Sequence, residues 1–185
     1  MNSQKGFGLL EILITLVIAG IVTLLVVPSF ATLVADNRLI STNNELGSNL
    51  SIAKSEAIRR QQQITVCQSN STLSDCDPSA SWSNGWIIFV DDNSDDTVDN
   101  GETVIRVHEA IDSSLTLTYS AGTELYFGST GSLASNTGHF TLCDDRGASY
   151  AAGKLLYNSG RISSARDSNN DGTAEDASAS NLTCP

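Results

Sequence analysis

Three kinds of hydrophobic patterning follow one another along the 185 residues. From Phe7 to Val27 the chain reads FGLLEILITLVIAGIVTLLVV, apolar on every face apart from Glu11 and two threonines, and Pro28 closes the run. At about 1.5 Å of helical rise per residue, this stretch spans roughly 30 Å, the thickness of a bilayer's hydrocarbon core. Beyond Pro28 the apolar positions thin to one stripe. Leu39, Leu46, Leu50, Ala53 and Ala57 recur at spacings of seven, four, three and four, while Asn43, Asn44, Glu45, Ser48, Asn49, Lys54 and Glu56 fill positions between them. No proline interrupts this segment, so one helix is predicted from Phe7 to about Gln62, with Arg59 and Arg60 favouring the dipole at its end. From Gln63 the pattern changes to short β-type runs separated by turn residues. The predicted strands are Ile64–Gln68, Gly85–Asp91, Thr103–His108, Leu115–Tyr119, Glu124–Phe127, His139–Asp144, Lys154–Asn158 and Arg161–Ala165. Clusters such as Ser69–Ser83, Ser129–Gly138 and Asp167–Ser180 are loop-like. The amphipathic stripe must bury itself against something, and a sheet is the available surface. The expected fold is α+β: a long N-terminal α-helix, a transmembrane half plus an amphipathic half, packed on an antiparallel β-sheet domain.

Glu11 decides how the apolar run is read. An ionised carboxylate at membrane depth costs about 2.5–3.5 kcal/mol on insertion scales, so it needs a partner. A conventional secretory signal could use Lys5 as its basic region and Ser29-Phe30-Ala31 as its cleavage site, leaving a mature N-terminus near Thr32. The run exceeds the usual h-region of roughly 7–15 residues and carries the glutamate, both against that reading. A plain anchor explains the length and leaves Glu11 a defect. Gly6-Phe7 followed by Glu11 and Pro28 resembles the class III signal of type IV pilins and type II secretion pseudopilins. That resemblance implies cleavage after Gly6 by a membrane prepilin peptidase, N-methylation of Phe7, and retention of the apolar helix. The α-amine of a neighbouring subunit's Phe7 would neutralise Glu11 and set the register of assembly; breaking the pair would strand a buried charge. Pro28 would kink or loosen the helix where it leaves the membrane. Gly8 stands where the family most often has threonine.

The resemblance extends along the chain and becomes more specific. Ala53-Lys54-Ser55-Glu56-Ala57-Ile58-Arg59-Arg60 before Cys67, Gly85-Trp86-Ile87-Ile88-Phe89, Val104-Ile105-Arg106-Val107-His108-Glu109, Phe140-Thr141-Leu142-Cys143-Asp144-Asp145-Arg146-Gly147 and the terminal Asn181-Leu182-Thr183-Cys184-Pro185 resemble the H-type minor pseudopilins, the GspH/FimT/FimU family. The family implies residues 1–6 as leader, 7–28 as transmembrane helix, 29–62 as amphipathic helix and 63–185 as a periplasmic β-rich domain. It implies a structural subunit, not an enzyme, that joins the tip or priming complex of a type II secretion pseudopilus or a type IV pilus. The partners implied are other minor and major pilins or pseudopilins, the prepilin peptidase, the inner-membrane assembly platform and the membrane itself. The bacterial inner membrane is the expected location, with the N-terminus in the cytoplasm and the domain in the periplasm. Two different readings stand beside it: a DNA-binding minor pilin for natural transformation, and a secreted β domain with a conventional cleaved signal peptide.

Charge and chemistry narrow these alternatives. The net charge is −11, and loss of Lys5 with the leader would bring the side chains to −12, which opposes broad binding to nucleic acid. Some family members bind DNA through a C-terminal Gly-Arg-x-Arg motif; here Gly160-Arg161-Ile162-Ser163 lacks the second arginine, and only Arg166 could replace it. Asp167 and Asp171 oppose these two cations, so DNA is a disfavoured partner. Cys67, Cys76, Cys143 and Cys184 form no C-x-x-C pair, and in an exported chain an even count reads as two disulfides. Three pairings are open; Cys67–Cys76 as a local clamp and Cys143–Cys184 as a tie for the tail are preferred. No cofactor is expected. Calcium at Asp91, Asn93 and Asp95, or at Asp167, Asn169 and Asp171, is the weaker reading of two acidic turns. The first has Asp96 where an EF-hand loop needs glycine, the second has Ser178 where it needs glutamate, and solvated turns select the same residues. Gly147 to Lys154 has the wrong spacing for a phosphate-binding loop, no G-x-S-x-G elbow occurs, and His108 and His139 sit in strand contexts.

Overall fold

The computed structural model describes residues 8–185, the side chains of residues 25–28 excepted. These residues divide into two compact units at Asn37/Arg38. In the first, helix α1 (Leu9–Arg60) begins with Gly8 as its cap: the Gly8 carbonyl accepts hydrogen bonds from the amides of Glu11 and Ile12 at 3.1 and 3.3 Å. The backbone stays helical through Pro28, the loss of one amide donor notwithstanding. Every side chain from residue 8 to residue 24 is exposed, Leu9 by 83% and Leu24 by 77%.

The second unit contains the rest of α1 and, among the described residues, eight strands in two antiparallel four-stranded sheets. The helix stops at Arg60, slightly before its predicted end, because Gln61 takes a left-handed φ of 56°. Glu56 accepts from both Arg59 and Arg60, tying the last turn together. The strands are β1 (Ile64–Gln68), β2 (Trp86–Val90), β3 (Val104–His108), β4 (Leu115–Tyr119), β5 (Glu124–Phe127), β6 (His139–Asp144), β7 (Ala152–Leu156) and β8 (Ile162–Ser164). The first sheet runs β3-β2-β1-β5 and the second β4-β6-β7-β8. The hydrophobic pattern locates strands but not this division: β4 and β5 are neighbours in sequence and lie in different sheets.

One core joins the helix to both sheets. Leu39, Leu46, Leu50, Ala53 and Ala57 are each at most 4% exposed, and they cluster with alternate residues of the strands: Ile64 and Val66, Trp86 and Ile88, Leu125 and Phe127, Leu117 and Tyr119, Phe140 and Leu142. A 3₁₀ turn at Trp82–Asn84, inside a stretch that reads as loop, adds Trp82 to this core; its ring meets Phe140 edge-on at 4.9 Å. Ser81 accepts from the Ser83 amide and so starts the turn.

β1 and β2 are buried on both faces. The outer face of the first sheet carries Cys67, Ile87 and Phe89, covered by Cys76 and Val98. The outer face of the second carries Cys143, and the C-terminal tail lies over this sheet, with Leu182 only 1% exposed. The structure pairs Cys67 with Cys76 and Cys143 with Cys184, so each disulfide pins the segment covering one sheet. Some strand ends differ from the pattern-based limits. β7 begins at Ala152, opposite Leu142, and ends at Leu156, where a turn closed by the Gly160 amide on the Tyr157 carbonyl takes over. Gly85 caps the 3₁₀ turn instead of opening β2.

Replacing Leu50, fully buried, with alanine is expected to cost about 2–5 kcal/mol. Ile40→Ala, at a position 57% exposed, should cost under about 0.5 kcal/mol. Urea unfolding of the full-length chain in detergent, followed by tryptophan fluorescence, measures both.

Candidate functional site

Among the described residues, the apolar half of α1 is left uncovered. Leu10, Leu13, Ile14, Val17 and Ile18 form one exposed apolar patch on it. Glu11 sits in the first turn, exposed, and its carboxylate has no hydrogen-bond or ion-pair partner among the described residues. Thr15 and Thr23 return their hydroxyls to the helix backbone, at Ile12 and Ala19, so they add no free polar group to this surface. Gly6 and Phe7, the proposed cleavage pair, lie outside the described residues, as does the side chain of Pro28.

The two acidic turns share a local geometry. In the first, Asp91 is 1% exposed; one carboxylate oxygen accepts from the amides of Ser94 and Asp95, and the other from the Thr65 hydroxyl. Glu102 folds back onto the amides of Asp92 and Asp99. In the second, Asp167 accepts from the amides of Asn170, Asp171 and Gly172. Position six of the first turn is left-handed, with Asp96 at φ 62°, where Gly172 serves in the second. Burial raises the Asp96 carboxyl above its ordinary range, and the charges of Glu124, Asp91 and Asp95 act the same way. A hydrogen bond from the Asn181 side chain, then others from Asn169 and Thr173, hold Asp171 below that range. Among the described residues, no group of three Asp, Glu, His or Cys side chains is placed to hold a metal ion.

The Gly160-Arg161 step is built into the hairpin between β7 and β8. Gly160 has a φ of 70°, and a Cβ there would stand only 1.8 Å from the Gly131 carbonyl oxygen. Lys54 of α1 donates to the Gly160 carbonyl at 2.9 Å. The Arg161 guanidinium lies over the Tyr157 ring, 3.9 Å from its centre. Arg166 lines the same cavity as Arg161, and Glu175 and Asp176 line it too. The two arginines therefore share a surface, with carboxylates interleaved.

Both histidines are occupied by the fold. His108 stacks on Trp86 with ring centres 3.8 Å apart, and its two nitrogens meet Glu45 at 3.3 Å and the Glu109 carbonyl at 2.6 Å. His139 lies 3.8 Å from Asp176. For Asp176, burial works upward, but hydrogen bonds from Ser178 and Ser180 and the His139 charge outweigh it and hold the carboxyl low. Sequence patterning missed Lys154: it is 7% exposed on β7, facing α1, and no periodicity distinguishes it from a solvated strand-end lysine.

The family model of type II transport protein GspH matches residues 42–160, and that of the prokaryotic N-terminal methylation motif matches residues 1–27. The fold is similar to that of the type IV minor pilin FimU of Pseudomonas aeruginosa, solved in two crystal forms. In space group P21 the TM-score is 0.52 at 22% identity, over 69% of this chain and 87% of that one. In space group P65 it is 0.53 at 21% identity, over 74% and 97%. No curated protein matches the chain.

Three outcomes follow from these turns. Gly160→Ala should destabilise by about 1–3 kcal/mol, since it meets both the strained φ and the Gly131 carbonyl. Arg161→Ala should cost under about 1 kcal/mol, the worth of an exposed cation–π contact, in the same unfolding assay. Asp96→Asn should raise Tm at pH 7. The folded-state pKa of Asp96 is raised, so its charge destabilises above that value; the gain should vanish below 3.8, where the carboxyl is protonated in both states.

Proposed function

The chain belongs to the GspH family of minor pilins and pseudopilins, and on that premise we propose that its work is assembly. The family consists of structural subunits, and the chain is not an enzyme. A prepilin peptidase removes residues 1–6, Phe7 becomes the methylated N-terminus, and the apolar half of α1 stays in the inner membrane. The N-terminus faces the cytoplasm and the β domain the periplasm. The observation that carries this reading is the coincidence of a methylation motif over residues 1–27 with an exposed apolar helix whose one carboxylate, Glu11, has no partner within the described residues.

Assembly then follows from electrostatics. The α-amine of Phe7 on a neighbouring subunit supplies the charge Glu11 lacks, and in a low-dielectric setting that pair fixes one axial register. The β domain joins related minor subunits at the tip of a pseudopilus or pilus, the inner-membrane platform holding the complex during priming.

The intact mass and N-terminal residue of the protein purified from its own membranes test the reading. A start at methylated Phe7, with the mass short of four hydrogens for two disulfides, is expected. A start at Thr32 would overturn it, because Glu11 and the helix that carries it would be gone. Glu11→Ala should leave cleavage intact and abolish co-purification with other pilin-type subunits.

A further inference from the structure

Lys154 is a buried charge without an opposite partner. It sits two residues before Leu156 on β7, so both side chains leave the same face of the second sheet, toward α1. It crosses the helix at Gly47, where a Cβ would stand 2.8 Å from Lys154 Cε and 3.1 Å from Nζ. A glycine weakens a helix interior, and here it makes room for the lysine stem. The ammonium donates to the Ser164 hydroxyl at 2.9 Å, which uses one of its three donors. No Asp or Glu among the described residues forms an ion pair with it. Burial pushes its pKa below the ordinary lysine range.

The ammonium opens into a cavity of about 380 Å³ between α1 and β8. Asn44, Ser48, Ser51 and Ser163 line it, and no acidic residue does. β8 is the edge of its sheet, so nothing in the sheet closes the outer side. We propose that this cavity is the docking site for a single carboxylate, an Asp or Glu side chain of a neighbouring pilin-type subunit, with Lys154 as its counter-ion. The Ser48 and Ser163 hydroxyls and the Asn44 amide supply hydrogen bonds to the second oxygen, the Ser51 hydroxyl being donated to the Gly47 carbonyl. The proposal rests on the assembly reading above. Charge decides the class of occupant. Lys54 is committed to the Gly160 carbonyl and Arg161 to the Tyr157 ring, and Arg166 shares its cavity with Glu175 and Asp176, so the cations nearby do not form a row suited to a phosphate backbone. Beyond β8 the chain continues into Asp167 and Asp171, which repel a polyanion and leave room for one charge.

The test uses the full-length chain. With Lys5 lost in the leader, its lysines are Lys54 and Lys154, so products of a zero-length carbodiimide, which couples an amine to an adjacent carboxylate, are readily assigned. In native membranes, mass spectrometry should find Lys154 joined to an Asp or Glu of another pilin-type subunit. In Lys154→Met, co-purification with that subunit should fall at least tenfold. The same variant, purified alone in detergent, should melt roughly 2–6 °C higher, because an uncompensated buried charge has been removed. A fall in its Tm, or a rise with co-purification unchanged, would overturn the proposal. So would binding of a single-stranded oligonucleotide that Lys154→Met abolishes. Failure of the wild-type chain to co-purify with any such subunit would instead sink the assembly reading itself.

Discussion

The burial of one helical stripe supports everything else in this domain. Leu46, Leu50, Ala53 and Ala57 cannot be shielded by their own helix, and neither sheet is wide enough to hide its inner face alone. Their shared core removes all three apolar surfaces from water at once, at about 25 cal/mol per Å². The two alanines keep the helix close to the strands, and Trp82 bridges toward Phe140 and Tyr119. The same helix continues into its exposed apolar half.

Burying the inner faces leaves the outer ones to be covered. Antiparallel sheets commonly present one face to water. Here β1 and β2 do not, and the covering segments are polar loops of low intrinsic order. Disulfides solve this by restricting the unfolded chain, with the longer Cys143–Cys184 loop gaining more than the short Cys67–Cys76 clamp. The likeness to FimU is a likeness of fold, and the GspH family model covers the helix end and most of both sheets.

Electrostatics separates the committed charges from the unpaired ones. The acidic turns spend their carboxylates on backbone amides, Asp91 and Asp167 each organising a loop. The cations are few and mostly committed: Arg59 and Arg60 to Glu56, Arg161 to Tyr157, Lys54 to a carbonyl. Glu11 and Lys154 differ from these. Each is a charge in or beside α1 without an opposite charge among the described residues, and each lies where a second subunit could supply one.

The amino-acid pattern by itself determined the helix, the stripe from Leu39 to Ala57, the existence of the eight strands among the described residues and the leader motif. Those features depend on periodicity and on short fixed spacings, which are local properties of a chain. Strand ends at Gly85 and Tyr157, and the 3₁₀ turn at Trp82, were less legible because caps and turn hydrogen bonds set them. Tertiary structure alone decided that β4 and β5 part into different sheets and that Gly160 must be glycine because Gly131 approaches it. It also decided that Lys154 is buried against Gly47, more than a hundred positions away in sequence. Such contacts are made between residues that share no local pattern, so only the packed domain contains the information that brings them together.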